Sequence, residues 1–193
     1  MKLIIIEGGD RLGKSTLIEG ICKHFKYDNV TIRHFGKPPR GLTSEAVSAY
    51  QFKAFDKEKR FLDRVYQLSF FSYYPEIVIW NRSYLGEYVY SQMFRNGNPE
   101  ELKTKLLNFE RGINIFNTCL ITLTASPEFF LKKEDGNSFS RDLSTKTKEL
   151  ELFKEIHELS RINCKKIIKV DHNGEFWPKQ TILDKVLNVI DHG

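Results

Sequence analysis

The stretch Gly8-Gly9-Asp10-Arg11-Leu12-Gly13-Lys14-Ser15 decides the fold, because it is a full match to the pattern G-x-x-x-x-G-K-[ST]. It follows an apolar, β-branched run at residues 3–6 and precedes apolar residues at helical spacing over residues 17–25. The glycines let several backbone N–H groups turn inward, and the following helix presents its positive N-terminal end to the same point. Motif, context and register together predict a loop that cradles the phosphates of a nucleoside triphosphate.

Each polar residue of this loop has a predicted role. We expect the Lys14 ammonium group to reach the β- and γ-phosphates and the Ser15 hydroxyl to ligate Mg²⁺. Asp10 suits a hydroxyl of a second substrate, and Arg11 suits the charge spread over a transferring phosphoryl group; the alternative is that both point to solvent. The residues predicted to bind the triphosphate are Gly8, Gly9, Asp10, Arg11, Leu12, Gly13, Lys14, Ser15 and Thr16.

The rest of the chain alternates between strand and helix patterns. Short apolar, β-branched runs of strand length lie at residues 3–6, 30–32, 77–80, 119–123 and 167–170. Helical spacing falls between and after them, at residues 17–25, 61–68, 102–116, 152–159 and 182–190. This alternation predicts an α/β P-loop NTPase fold, with a five-stranded parallel sheet and helices on both faces.

The domain organisation follows from the same pattern. No linker divides the 193 residues, so we predict a single domain over residues 1–193. A polar stretch at about 126–146, after the fourth strand, is expected to form a lid insertion rather than a packed element.

Composition narrows the class of protein. Hydrophobic residues make up 40% and charged residues 28%, with no apolar run near the ~18 residues of a membrane helix, so no membrane association is expected. The start of the chain lacks a cleavable signal pattern, which predicts a cytoplasmic protein.

Cys22, Cys119 and Cys164 are too few and too scattered for a disulfide framework or a zinc site, and we expect reduced thiols.

The positive charge is concentrated in one part of the chain. Residues 23–60 hold nine Lys or Arg against four Asp or Glu, and the whole chain carries a net charge of +5. Such a region attracts the phosphates of a nucleotide or a nucleic acid, and a solvated basic surface is the equal alternative.

Other classes of triphosphate-binding protein lack their signatures here. A GTPase would show an N-K-x-D motif, and none is present. In a motor ATPase, acidic residues would follow an apolar strand. Here the predicted strand at 77–80 is followed by Asn81-Arg82, and the one at 119–123 is followed by Thr124-Ala125-Ser126. A kinase of small metabolites fits best.

Basic and aromatic residues outside the loop are candidates for the second substrate. Arg82 ends a predicted central strand, where a parallel sheet faces its ligand crevice, although pairing with a local carboxylate is the alternative. Lys37 and Arg40 follow the second strand, and Arg141 is the lid residue expected to close over the phosphates; plain surface charge is the alternative for all three. Tyr90 is one of the aromatics expected to supply a base-stacking wall.

Two segments resemble thymidylate kinases. Residues 7–16 are similar to the family's P-loop in the version with Asp-Arg inside the loop. Residues 77–90 are similar to the family's Asp-Arg-aromatic segment, and the similarity is closer still to thymidylate-kinase-like proteins often found in phages. The resemblance implies ATP- and Mg²⁺-dependent phosphorylation of a deoxynucleoside monophosphate, foremost dTMP or an analogue. Families of this kind are often homodimeric.

The resemblance also assigns roles by position. Asp10 would contact the acceptor sugar, Arg11 would act on the transferring phosphoryl group, and Arg82 would hold the acceptor phosphate. Lys37 or Arg40 would assist Arg82, and Arg64 would read the base.

One departure from the family keeps alternatives open. The family has Asp before the strand-end arginine, whereas this chain has Asn81, which keeps the oxygen and loses the charge. Metal binding would then depend on Ser15 and the phosphates or on a carboxylate such as Glu87. The alternatives are a deoxynucleoside or a modified base in DNA as acceptor, with nucleic acid not favoured as a partner, or a non-catalytic nucleotide-binding module. A nucleoside acceptor would need a general base near its hydroxyl, for which Glu7, Asp10 and Glu87 are the candidates.

Overall fold

A computed structural model describes residues 1–35, 38–39, 41–68, 77–113, 116–136 and 141–192. It contains a five-stranded, all-parallel sheet in the order β2-β3-β1-β4-β5. The strands are β1 Lys2–Glu7, β2 Val30–His34, β3 Ile77–Asn81, β4 Asn117–Thr124 and β5 Cys164–Lys169. The predicted α/β P-loop NTPase fold is therefore confirmed.

Helices cover both faces of this sheet. They are α1 Lys14–Phe25, α2 Ser44–Leu68, α3 Leu85–Phe94, α4 Pro99–Arg111, α5 Pro127–Lys132, α6 Leu143–Leu159 and α7 Lys179–His192. A short 3₁₀ turn at Tyr27–Asn29 precedes β2, and a small antiparallel hairpin, β6 Asp171–His172 and β7 Glu175–Phe176, follows β5. Within the described helices, none combines the length and apolar character needed to span a bilayer.

The central strand β1 is buried on both faces, and its side chains alternate between two apolar clusters. Ile4 and Ile6 belong to the cluster that contains residues of α1 and α7, whereas Leu3 and Ile5 belong to the cluster that contains residues of α2, α3, α4 and α6. Because side chains of a strand alternate with a period of two, an unbroken apolar run suits a strand covered on both sides. This packing fixes β1, and the loop that leaves its carboxyl end, at the centre of the molecule.

Several boundaries differ from the sequence prediction, and the largest difference is that α2 begins at Ser44 rather than near residue 61. Strand β5 begins at Cys164 rather than 167, because polar lysines interrupt the apolar signal at its start. Helix α4 ends at Arg111, and the apolar pattern continues to Phe116 because that residue packs on the core beyond the helix. The stretch at 126–146 is not wholly a polar loop, since α5 buries Phe129 and Phe130 and α6 begins within it.

Two of the three cysteines are paired. Cys119 and Cys164 stand opposite each other in the register of β4 and β5, their Cα atoms are 4.7 Å apart, and they form a disulfide. The prediction of three reduced thiols is wrong for this pair, because strands distant in sequence become neighbours in the sheet. Cys22 is free and buried, as predicted.

Candidate active site

The loop between β1 and α1 has the geometry that its glycines predict. Gly8 has φ 126° and Gly13 has φ 86°, conformations that favour glycine. A Cβ atom on Gly8 would collide with the backbone carbonyl of Leu123 on β4. The loop is therefore packed directly on the neighbouring strand, and its backbone path depends on glycine.

Lys14 points back into this loop. Its ammonium Nζ donates to the carbonyl oxygen of Gly8 at 2.8 Å and to that of Gly9 at 2.6 Å. Burial, reinforced by the nearby charge of Arg82, lowers the pKa of Lys14 to about 8. The buried ammonium group of Lys14 therefore lies inside the loop that is predicted to bind phosphate.

Arg82 leaves the carboxyl end of β3 and meets the loop. Its guanidinium forms an ion pair with Asp10, and its backbone N–H donates to the Ile6 carbonyl oxygen at 2.9 Å. Arg82 has φ 68°, a conformation rare outside glycine, which turns the chain sharply after the strand. The sequence predicted both residues for the site, and the structure brings them into contact.

Glu7, the last residue of β1, lies beneath the same group of charges. Ser83 Oγ donates to its Oε1 at 2.6 Å, and the side chain is 1% exposed. Burial raises the pKa of Glu7, against the lowering effect of Ser83, Lys14 and Arg82. The sequence named Glu7 only as one of three possible general bases, because a glutamate that ends an apolar strand carries no spacing signal.

Helix α6 contributes a further acidic residue to the site. Tyr90 from α3 donates its hydroxyl to Glu149 Oε1 at 2.9 Å, and burial raises the pKa of Tyr90 well above its usual range. The same Oε1 atom lies 3.1 Å from the position of a Cβ on Gly9. Tyr90 was predicted from its aromatic character, whereas Glu149 was missed within a charged helix.

An ion pair joins the stretch at 126–146 to the loop, and another lies within the stretch. Arg11 pairs with Asp135, and Lys146 Nζ lies 2.6 Å from Glu134 Oε2 and 3.9 Å from the centre of the Phe130 ring. The lysine is completely buried, which was not expected of a lid residue. Arg141, the predicted lid arginine, is exposed.

A cavity of about 210 Å³ opens beside the loop, and we call it the acceptor cavity. Glu7, Gly8 and Arg82 line its loop end. Aromatic and apolar side chains form its walls: Phe35, Val47, Phe55, Tyr90, Phe94 and Phe153. Gln51, Glu87 and Arg95 supply further polar groups. The cavity therefore joins the phosphate-binding loop to an aromatic chamber.

A second cavity, of about 610 Å³, lies on the other side of the loop, and we call it the donor cavity. Gly13 and Thr16 line it at the beginning of α1, and Phe176 and Trp177 line it beside the β6–β7 hairpin. The Trp177 ring stacks on His172 at a centroid distance of 4.5 Å. The hairpin was not predicted, because strands of two residues give no periodic signal.

Metal-binding groups near the loop are few. Among the described residues, no three His, Cys, Asp or Glu side chains converge as a metal site would require. The Asn81 amide nitrogen lies 3.0 Å from His34 Nδ1, while its buried Oδ1 has no hydrogen-bond partner among the described residues. Ser15 is exposed in the first turn of α1.

The remaining predicted residues divide into three groups. Leu12 is buried under the loop, while Thr16 is exposed beside Ser15. Arg64 is exposed on α2 and lines neither cavity. Lys37 and Arg40 lie outside the described residues, although Pro38 between them lines the acceptor cavity.

No protein-family model matches the chain, and no curated protein matches it. Solved structures match it over nearly its full length. YorR from Bacillus subtilis, solved in complex with phosphorylated GDP, is 19% identical with a TM-score of 0.63, covering 98% of this chain and 95% of YorR. Thymidylate kinase from Candida albicans is 16% identical with a TM-score of 0.64, over 98% and 90% of the two chains.

A deoxyadenosine kinase from M. mycoides with bound dATP is 16% identical, with a TM-score of 0.57 over 99% of this chain and all of that one. This chain has the fold of thymidylate kinases and related P-loop kinases. The resemblance to thymidylate kinases is thereby confirmed for the fold. Because one fold hosts many activities, the reaction has to be inferred from the site.

Proposed function

We propose that this protein transfers the γ-phosphoryl group of ATP to a deoxynucleoside monophosphate; the resemblance implies dTMP or an analogue as the acceptor. One observation carries the proposal: the acceptor cavity opens onto the phosphate-binding loop at Gly8 and Arg82. A protein that only bound or hydrolysed a triphosphate would not need an aromatic chamber at the transferring end. The kinases among its structural neighbours support this inference.

The donor side uses the loop and the first helix. Lys14 exchanges its two carbonyl contacts for β- and γ-phosphate oxygens, and backbone N–H groups at the start of α1 bind the same anion. The nucleoside of ATP occupies the donor cavity, which Thr16 and Trp177 both line. Arg11, released from Asp135, places its guanidinium on the transferring phosphoryl group.

The acceptor side uses Arg82 and Asp10. Arg82 holds the acceptor phosphate against the loop, and Asp10, its ion-pair partner, is left to accept from a sugar hydroxyl. Catalysis then consists of positioning and charge stabilisation, with no covalent intermediate. The stretch at 126–146 closes over the phosphates, brings Arg141 to them and excludes water from the transfer.

The site has oxygen atoms that fit Mg²⁺. Ser15 offers a hydroxyl at the start of α1, and the unpartnered Oδ1 of Asn81 suits a water molecule of the ion's hydration shell. When bound, the ion neutralises phosphate charge. A neutral amide in place of a carboxylate leaves this chain with less charge of its own to hold the metal.

A deoxynucleoside is the second candidate acceptor, and Glu7 favours it. Its carboxylate lines the acceptor cavity, and its raised pKa makes it a stronger base than an exposed glutamate. A free 5′-hydroxyl needs such a group to take its proton, whereas an acceptor phosphate does not.

An ADP-release assay with ATP and Mg²⁺ separates these candidates. We expect turnover with monophosphates, and Arg82→Ala should raise the acceptor KM while leaving ATP binding unchanged. Arg111→Ala, which removes an exposed arginine at the end of α4, is the matched control. Turnover with nucleosides alone would select the second candidate, and ADP release that no acceptor stimulates would contradict both.

A further inference from the structure

The acceptor cavity contains a buried ion pair that the transfer step does not use. Glu87, in the first turn of α3, is 4% exposed, and Arg95 follows the end of the same helix. Arg95 Nη2 donates to Glu87 Oε2 at 2.7 Å, and Ser48 Oγ donates to Glu87 Oε1 at 2.8 Å. Both charged residues line the cavity, so the pair faces whatever fills it.

The remaining walls suit a flat aromatic ligand. Phe35, Val47, Phe55 and Phe94 line the cavity with Tyr90, while Arg82 and Gly8 mark the end at the phosphate-binding loop. An acceptor whose reacting group lies at Arg82 has its base in this aromatic part. The polar edge of that base then needs partners, and Glu87 and Arg95 supply them.

The hydrogen-bonding capacity of the pair is unequal. Glu87 only accepts hydrogen bonds, and the Ser48 hydroxyl already donates its hydrogen to Glu87. Glu87 and Ser48 therefore offer a ligand only acceptor oxygens, whereas Arg95 offers only donors. An exocyclic amino group supplies two N–H donors, and the adjacent ring nitrogen or carbonyl accepts from Arg95. Thymine and uracil instead offer one N–H between two carbonyl oxygens. A carbonyl oxygen would then face the Glu87 carboxylate where the amino group would have donated to it. Leaving such groups unpaired in a buried site is costly.

We propose that Glu87 and Arg95 read the base of the acceptor and select bases that carry an exocyclic amino group over thymine and uracil. This rests on the proposed function, because it takes the acceptor to be a nucleoside or its monophosphate. It ranks dTMP below amino-bearing acceptors. Glu87 is thereby a specificity residue, rather than the metal ligand or general base that the sequence left open.

The sharpest test uses pairs of acceptors in which a carbonyl group replaces the exocyclic amino group and the adjacent ring nitrogen gains a hydrogen. We expect the wild-type kcat/KM for dCMP to exceed that for dUMP by at least about tenfold, and dAMP likewise to exceed dIMP. The nucleoside pair deoxycytidine and deoxyuridine covers the other acceptor class. Glu87→Gln, which replaces an acceptor oxygen by an amide donor, should reduce the dCMP/dUMP ratio about tenfold or reverse it.

Glu110→Gln is the control for the loss of a buried carboxylate. Glu110 is completely buried and accepts from Tyr84, Ser160 and the Arg161 backbone, yet it does not line the acceptor cavity. It should lower stability without changing the dCMP/dUMP ratio. A purely structural role for Glu87 would likewise lower all rates together and leave the ratio unchanged, which would overturn the proposal.

Binding measurements keep the two proposals separable. Calorimetric titration of wild type and Glu87→Gln with dCMP and dUMP requires no turnover. A binding preference for dCMP that disappears in the variant upholds base reading even if no phosphoryl transfer occurs, in which case the proposed function alone fails. Equal wild-type affinity and equal turnover for the two nucleotides would overturn base reading while the kinase activity stands.

Discussion

Lys14 is almost fully removed from water, and its ammonium group is held by two carbonyl oxygens of the loop that it serves. Its chemistry follows from the sequence motif alone. The sequence also predicted Asp10 and Arg82 as site residues, whereas their ion pair was not predicted. Glu149 could not be found in this way, because it reaches the site through the packing of α6. Glu7 was named only as a possible general base, and its contact with Ser83 depends on the pairing of β1 with β3. Their positions depend on tertiary structure, which no local spacing encodes.

Replacing Lys14 should abolish transfer while preserving the fold. Lys14→Met keeps most of the buried stem and removes the charge, so we expect turnover to fall by at least about 10³-fold with little change in thermal stability. ADP release and circular dichroism measure the two effects. Lys154→Met, at an exposed position on α6 that lines neither cavity, should leave both unchanged. Turnover near wild type in Lys14→Met would contradict the role assigned to the loop.

The pH dependence of ATP use should report the lowered pKa of Lys14. The ammonium form binds phosphate, and in the free protein it is lost as pH rises through about 8. We therefore expect kcat/KM for ATP to fall above pH 8, while kcat at saturating ATP falls only at higher pH because bound phosphate retains the proton. A kcat/KM that stays flat to pH 10 would argue against this environment.

At the scale of elements, α6 connects the sheet to the phosphate-binding loop. His157 on α6 lies 2.8 Å from Thr122 Oγ1 on β4, and Glu149 on the same helix meets Tyr90. The sequence predicted the apolar stripe of this helix but not its beginning, because its capping residue Asp142 stands among other polar residues. Helix α3 was not predicted at all, since it is buried on several sides and lacks a clean apolar stripe.

His157 should make stability fall in mild acid. Burial, and then the charge of Lys165, lowers the pKa of His157 to about 4 from its usual 6.5. Below pH 6.5 the His157 side chain is protonated in the unfolded chain but stays neutral in the folded protein. The free energy of unfolding therefore decreases as pH falls towards 4, by on the order of 2 kcal/mol. Urea titrations between pH 7 and pH 4.5 measure this loss.

Two variants test whether His157 causes this loss of stability. His157→Gln should flatten this part of the stability profile, whereas His192→Gln, exposed at the end of α7, should not. Equal slopes in wild type and His157→Gln would show that other groups cause the acid sensitivity.

At the scale of the whole molecule, strand alternation predicted the sheet, because apolar β-branched runs separated by helices leave few other architectures. Strand order and register were beyond the sequence. The disulfide between Cys119 and Cys164 depends on both, since it joins residues 45 positions apart across β4 and β5. The acceptor cavity likewise exists only once the ends of β1, β2 and β3 are side by side. The donor cavity requires that α1, α7 and β7 come together.

Breaking this disulfide should destabilise the fold. Cross-links of this span restrict the unfolded chain and contribute about 2–4 kcal/mol. Melting under non-reducing conditions, with and without dithiothreitol, should show a lower Tm for the reduced protein and for Cys119→Ser. Cys22 is not paired, so Cys22→Ser retains the sensitivity to reductant. Titration of three free thiols in the native oxidised protein would contradict the pairing.

The most direct test of phosphoryl transfer follows the phosphate itself. ATP labelled at the γ-phosphate is incubated with the protein, Mg²⁺ and a panel of deoxynucleosides and their monophosphates, and the products are separated by chromatography. We predict that the label moves to an acceptor nucleotide with the wild type and not with Lys14→Met. Label that remains in ATP, or appears only as inorganic phosphate with every acceptor, would contradict the assignment of this site to phosphoryl transfer.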